Sequence, residues 1–126
     1  MTDPEMFRIR RYLSEVIIMM YHTAKLYSDM GKNVLIDGIL VEREEIKPHY
    51  EQLKEILKEN PLDIVEVYCP LEICRDRNIA RGDRFENQSQ EQFDLMAEDI
   101  KYSMRVDTSV LSAVECAEAI VKGLLS

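Results

Sequence analysis

Short apolar runs bounded by chain breakers alternate with longer segments of helical periodicity, and this alternation leaves few folds open to the chain. In "KNVLIDGIL", Val34, Leu35 and Ile36 form an apolar run between polar turns, which predicts a buried strand ending near Asp37. "LDIVEVYC" (62–69) is β-branched and alternating, the pattern of a second strand, and "MRVDTS" (104–109) is a candidate third. Residues 5–31 carry Phe7, Leu13, Ile17, Met20, Ala24 and Tyr27 at helical spacing, with Gly31 as a stop. Residues 44–59 align Ile46, Tyr50, Leu53 and Leu57 on one helical face, with Pro48 tolerated in the first turn. "NP" at 60–61 breaks the chain, and Pro70 opens a helix that ends at Gly82. Capping-box spacing in "SQEQ" (89–92) and "SAVE" (112–115) starts two more helices, the last with Val114, Ala117, Val121 and Leu124 on one face. Strands alternating with helices in this order predict a three-layer α/β fold: a mostly parallel sheet of about three strands, flanked by helices.

The chain has 126 residues, 46% of them hydrophobic, enough for a core, and shows no internal repeat or linker. A single domain over 1–126 is the expectation. Sixteen Lys and Arg stand against 24 Asp and Glu, a formal net charge of −8. A field of that sign repels nucleic acid and anionic lipid, so neither is an expected partner and any anion must be caught locally. Three cysteines without a CxxC, and only two histidines, argue against a disulfide framework or a zinc site and fit a reducing cytoplasm. "MTDPEMFRIRR" lacks the pattern of a secretory leader. "VIIMM" (16–20) is far shorter than the ~20 residues of a membrane span and reads as a buried part of a helix.

Against this acidic background, "CRDRNIARGDR" (74–84) gathers Arg75, Arg77, Arg81 and Arg84. Arg77 and Arg81 fall one turn apart on the same helical face, and Arg84 follows the cap. No lysine occurs between Lys58 and Lys101, so the region is cationic through arginine alone. Guanidinium presents a planar fork that matches phosphate oxygens in pairs, whereas lysine is a point charge. Two readings stand side by side: a phosphate clamp, or a solvated face on which the arginines pair with Glu72, Asp76, Asp83 and Glu86. Asp37, at the carboxyl end of an expected strand, is the best single functional candidate, because ligands of open α/β sheets bind there; capping of the next turn is its ordinary alternative. Cys69 and Cys74 read as small core residues, and His22 and His49 as packing or surface residues. Tyr12, Tyr21 and Tyr27 read as core or interface.

"NVLIDGIL", "VEVYCPLEICRDRNIARGDR" and "MRVDTSVLSAVECAEAI" resemble, in order, successive segments of the chloramphenicol phosphotransferase-like proteins, which are small P-loop kinases. The resemblance covers roughly residues 13 to 122. It implies a parallel sheet flanked by helices and transfer of the ATP γ-phosphoryl group, with magnesium, to a hydroxyl of a small-molecule acceptor. By that resemblance Asp37 matches a Walker B-like acid near the metal. Arg77, Arg81 and Arg84 match the arginine-rich lid over the phosphates, where they would serve catalysis. Asp107 and Thr108 match the turn after the last strand, near the adenine. Gly38 departs from a family position that often holds a second acid.

The 126 residues contain no GxxxxGK[S/T] segment, whose successive N–H groups would wrap a phosphate while the lysine reached the outer phosphates. The pair Gly31-Lys32 has Leu26 five residues before it and precedes a strand rather than following one. The resemblance therefore implies that the first strand, the P-loop and the acidic residue that takes the acceptor's proton would lie upstream of Met1. The expectation is a kinase-like chain, inactive alone, with ATP and magnesium implied by the resemblance and their binding by this chain left open. Direct pairing of the strands at 34–36 and 64–68, a homodimer, or a partner carrying the P-loop would close the sheet. The alternative is a non-catalytic α/β remnant or oligomerisation module with at most an anion site.

Overall fold

A computed structural model of the chain describes residues 4–38, 40, 48–82 and 100–125. The helix expected from residue 89, Ile46, and Arg84 lie outside the described residues. The described chain is α/β: four helices and a two-stranded parallel sheet. It divides into two compact units, Met1–Leu62 with Leu95–Glu98, and Asp63–Asp94 with Asp99–Ser126.

The first unit is built on α1 (Pro4–Asp29) and α2 (His49–Ile56). Tyr50, Leu53 and Leu57 are buried as the spacing predicts, and each such side chain removed from water contributes about 1.5–3 kcal/mol. Facing them, α1 buries Ser14, Tyr21 and Ala24. His49 is 1% exposed, and its Nε2 lies 2.8 Å from the Ser14 hydroxyl, which ties the two helices across the core. Beyond α2, Asn60 closes the other end: Lys25 donates to its Oδ1 at 3.0 Å, and its amide donates to Ser28 Oγ at 3.1 Å and Asp29 Oδ1 at 2.8 Å. Gly31, at φ +81°, turns the chain out of α1 in the left-handed conformation that glycine adopts without a Cβ clash.

Two expectations for this unit are corrected. The apolar run at 16–20 was expected to be buried, but Val16, Met19 and Met20 are exposed, as are Leu13 and Tyr27 of the helical pattern. The cause is that α1 is apolar over more than half its circumference. Two apolar arcs share one helix, periodicity cannot say which one meets α2, and the arc holding Ser14, Tyr21 and Ala24 does. The expected strand at 34–36 is also not formed: residues 32–38 have no ladder partner, and Leu35 is 91% exposed. A strand exists only through its neighbours, and among the described residues none pairs with this run.

The second unit runs β1 (Val65–Tyr68), α3 (Leu71–Arg81), β2 (Met104–Asp107) and α4 (Ala113–Leu124). The strands pair in parallel, with Val65 opposite Met104 and Tyr68 opposite Asp107. Val106, 3% exposed, and Cys116 are buried where α4 covers β2. The "SAVE" capping box forms as expected: the Glu115 amide donates to Ser112 Oγ at 3.2 Å, and the Ser112 amide donates to Glu115 Oε1 at 2.9 Å. Of the face expected on α4, Leu124 is half-buried, while Val114, Ala117 and Val121 are exposed.

Gly82 ends α3 at φ +69°, its N–H bonded to the Asn78 carbonyl, with nothing near the space a Cβ would take. Steric room is therefore not at issue, and the left-handed backbone alone sets the cost of a side chain. Gly82→Ala is expected to destabilise the chain by about 1–2 kcal/mol in urea denaturation.

Candidate functional site

In a parallel pair, the carboxyl ends of the strands are where successive loops leave the sheet and backbone groups become available to a ligand. Here those ends are Tyr68 and Asp107. The Thr108 amide donates to the Tyr68 carbonyl at 2.8 Å, continuing the ladder one residue, and its hydroxyl donates to the same carbonyl at 3.2 Å.

Arg77 reaches this point from α3. Its Nη1 donates to Thr108 Oγ1 at 3.0 Å and its Nη2 to the Thr108 carbonyl at 2.9 Å. The guanidinium is thus held as a fork at the end of β2, with two of its roughly five N–H donors used. The structure brings together two residues that sequence reading named separately, Arg77 and Thr108. The side chain stays exposed, and among the described residues no carboxylate pairs with it. Arg81 is exposed one turn further along α3.

Asp107 lies beside this fork. Its Oδ1 accepts from the Ser109 hydroxyl at 2.5 Å and the Ser109 amide at 2.9 Å. The Ser109 hydroxyl, then its amide, then the nearby charges of Arg105 and Arg77 hold the Asp107 carboxyl below the usual carboxylate range. Asp107 therefore stays an anion near neutrality and offsets part of the arginine charge that an incoming phosphate would meet.

Two residues of this surface were not read from sequence. Ser109 could have been, because Asp-x-Ser is the spacing of a side-chain-capped turn. Arg105 could not: its guanidinium lies 3.6 Å over the centre of the Tyr68 ring and 3.0 Å from Glu66, both on the neighbouring strand. Cys74 donates to the Cys69 carbonyl at 3.6 Å, and burial, then Cys69, push its thiol up, the opposite of what a nucleophile needs.

Asp37 is exposed and belongs to the first unit, whereas Arg77, Arg81, Asp107 and Thr108 belong to the second. Among the described residues, no group of three or more His, Cys, Asp or Glu could hold a metal ion. A lone carboxylate suffices for magnesium only where substrate phosphates and waters supply the other ligands. Within the second unit, the Arg77 fork has the geometry to meet phosphate oxygens. The sequence holds no GxxxxGK[S/T] segment of the kind whose backbone amides wrap a phosphate. The Ser14–His49 pair is buried between α1 and α2, where it joins the two helices. No described helix is long and apolar enough to cross a membrane.

An α/β unit with parallel strands and an arginine fork at their carboxyl end is the class of protein the fold and this surface define. The model of the family described as "Chloramphenicol phosphotransferase-like protein" matches residues 8–124, and the chain belongs to that kinase-like family. No curated protein and no solved structure matches the chain.

Proposed function

We propose that this chain is a single-domain relative of small-molecule kinases that holds one side of a grip on phosphate and does not transfer a phosphoryl group by itself. The observation that carries this reading is the Arg77 fork at the carboxyl end of β2. Arg77 and Arg81 would meet phosphate oxygens, with Arg84 beyond the Gly82 cap and Asp107 and Thr108 bordering the site. Asp37, in the first unit, is the carboxylate that the family resemblance offers to magnesium. In the family the acceptor is a small molecule with a hydroxyl, and ATP with magnesium supplies the phosphoryl group. The missing backbone cradle, and a sheet of more than two strands, would come from a polypeptide that completes the fold.

Two observations favour a second reading, a non-catalytic remnant. Arg77 already has an internal partner, and Asp107 opposes added negative charge. The two readings separate in one titration with inorganic phosphate followed by NMR. Weak binding is expected, with shifts centred on residues 77–82 and 107–109. Arg77→Lys keeps the charge but loses the fork, and is expected to weaken binding about tenfold. Arg77→Ala with Arg81→Ala is expected to abolish it. An affinity unchanged in the double variant, with its circular dichroism intact, removes the clamp and leaves the remnant.

A further inference from the structure

Arg77 spends two of its roughly five N–H donors on Thr108, and those that remain are open to an oxyanion. A guanidinium edge pairs with two oxygens of one phosphate, and a phosphate offers two such oxygens whether it carries one negative charge or two. Hydrogen bonding at the fork therefore does not separate the two charge states. The charges around the fork do.

Asp107 precedes Thr108, so its Cα lies about 3.8 Å from that of the residue on which Arg77 is seated. Its carboxylate is held in place, because the Ser109 hydroxyl and amide both donate to Oδ1. Arg105 is already matched by Glu66 at 3.0 Å and lies over the Tyr68 ring. The balance at the carboxyl ends of the strands is thus Arg77 against Asp107, close to zero, with Arg81 one turn further along α3. Coulomb energy scales with the product of the charges. A second negative charge on the ligand therefore gains little from these surroundings, and it still carries a greater cost of leaving water.

We infer that Asp107 is a specificity residue, a fixed counter-charge that makes the Arg77 fork a seat for singly charged phosphate, as in a phosphodiester or the inner groups of a polyphosphate, and sets it against the doubly charged phosphate of a monoester. The inference deepens the phosphate reading proposed above and rests on it.

Titrations of the full chain at pH 8 and constant ionic strength, followed by NMR, test it with two small probes. Dimethyl phosphate carries one charge; methyl phosphate, whose second proton leaves at about pH 6, carries two. The wild type is expected to hold methyl phosphate no more than about threefold tighter than dimethyl phosphate. Asp107→Asn removes the charge and keeps an Oδ1 that accepts from Ser109. It is expected to tighten dimethyl phosphate about twofold and methyl phosphate about fourfold, because twice the ligand charge doubles the free-energy change and squares the ratio. Both gains should shrink as ionic strength rises from ~0.1 M to ~0.5 M, which a mere change in the turn would not do. A larger wild-type preference for methyl phosphate overturns the inference without any variant. Equal gains for the two probes, no gain, or a loss of both in Asp107→Asn also overturn it. In each of those cases the wild type still binds at residues 77–82 and 107–109, and the phosphate reading stands. If neither probe moves those residues in the wild type, the phosphate reading falls and takes this inference with it.

Discussion

Ser14→Ala is expected to cost about 1–3 kcal/mol of stability, because it strips the last hydrogen-bond partner from a buried imidazole. His49 Nδ1 already lacks a partner among the described residues, and Nε2 has only the Ser14 hydroxyl. A neutral imidazole carries one donor and one acceptor, so the variant would bury both unmet. Ser14→Cys, which keeps the volume but bonds weakly, should fall between. The same group gives the stability a pH dependence. Burial pushes the His49 pKa below its ordinary 6.5. Between the two values the unfolded chain binds a proton that the folded chain refuses, so stability falls as pH drops. His49's contribution is therefore complete above pH 6.5 and is lost as pH falls from there through the folded value. Urea denaturation from pH 7.5 to 5 should show this decline in the wild type. His49→Gln should flatten it, and a decline equally steep in that variant would show that other groups cause it.

The second large effect concerns nucleotide. Grip on a triphosphate in a P-loop kinase comes chiefly from consecutive amides that point inward with no reorganisation, supported by a lysine and a metal. An exposed arginine pair in water replaces little of this, since charges there are screened and the side chains lose entropy on binding. Each tenfold of affinity is about 1.4 kcal/mol, and micromolar binding needs about 8 kcal/mol in all. Two forks on one helix, opposed by the Asp107 carboxylate, fall well short of that. For the 126-residue chain alone, millimolar Mg-ATP affinity and no measurable transfer are the expected behaviour.

The parts of this structure legible in the sequence are those fixed by neighbours a few residues away. Gly82 ends its helix, Ser112 and Glu115 cap theirs, and Tyr50, Leu53 and Leu57 turn inward together, all by local geometry. What depended on distant chain was read less well. "VLI" at 34–36 has strand composition, but a strand needs a partner, and composition does not supply one. For α1, the sequence carries two apolar arcs, and only the position of α2 selects which is buried. The candidate site divides the same way. Arginine enrichment in 74–84 was visible, yet the seating of Arg77 on Thr108 spans 31 positions and follows from strand register rather than from any motif. The candidacy of Asp37 rests on its place at the end of an expected strand, and that warrant weakens without the strand.

Calorimetric titration of the purified 126-residue chain with Mg-ATP tests most directly whether it holds only one side of the phosphate grip. Heat too weak to fit a micromolar site, and lost altogether in the Arg77→Ala, Arg81→Ala variant, is the expected result. A saturating one-to-one isotherm at micromolar concentration would mean that a complete cradle exists within these residues, and would contradict it.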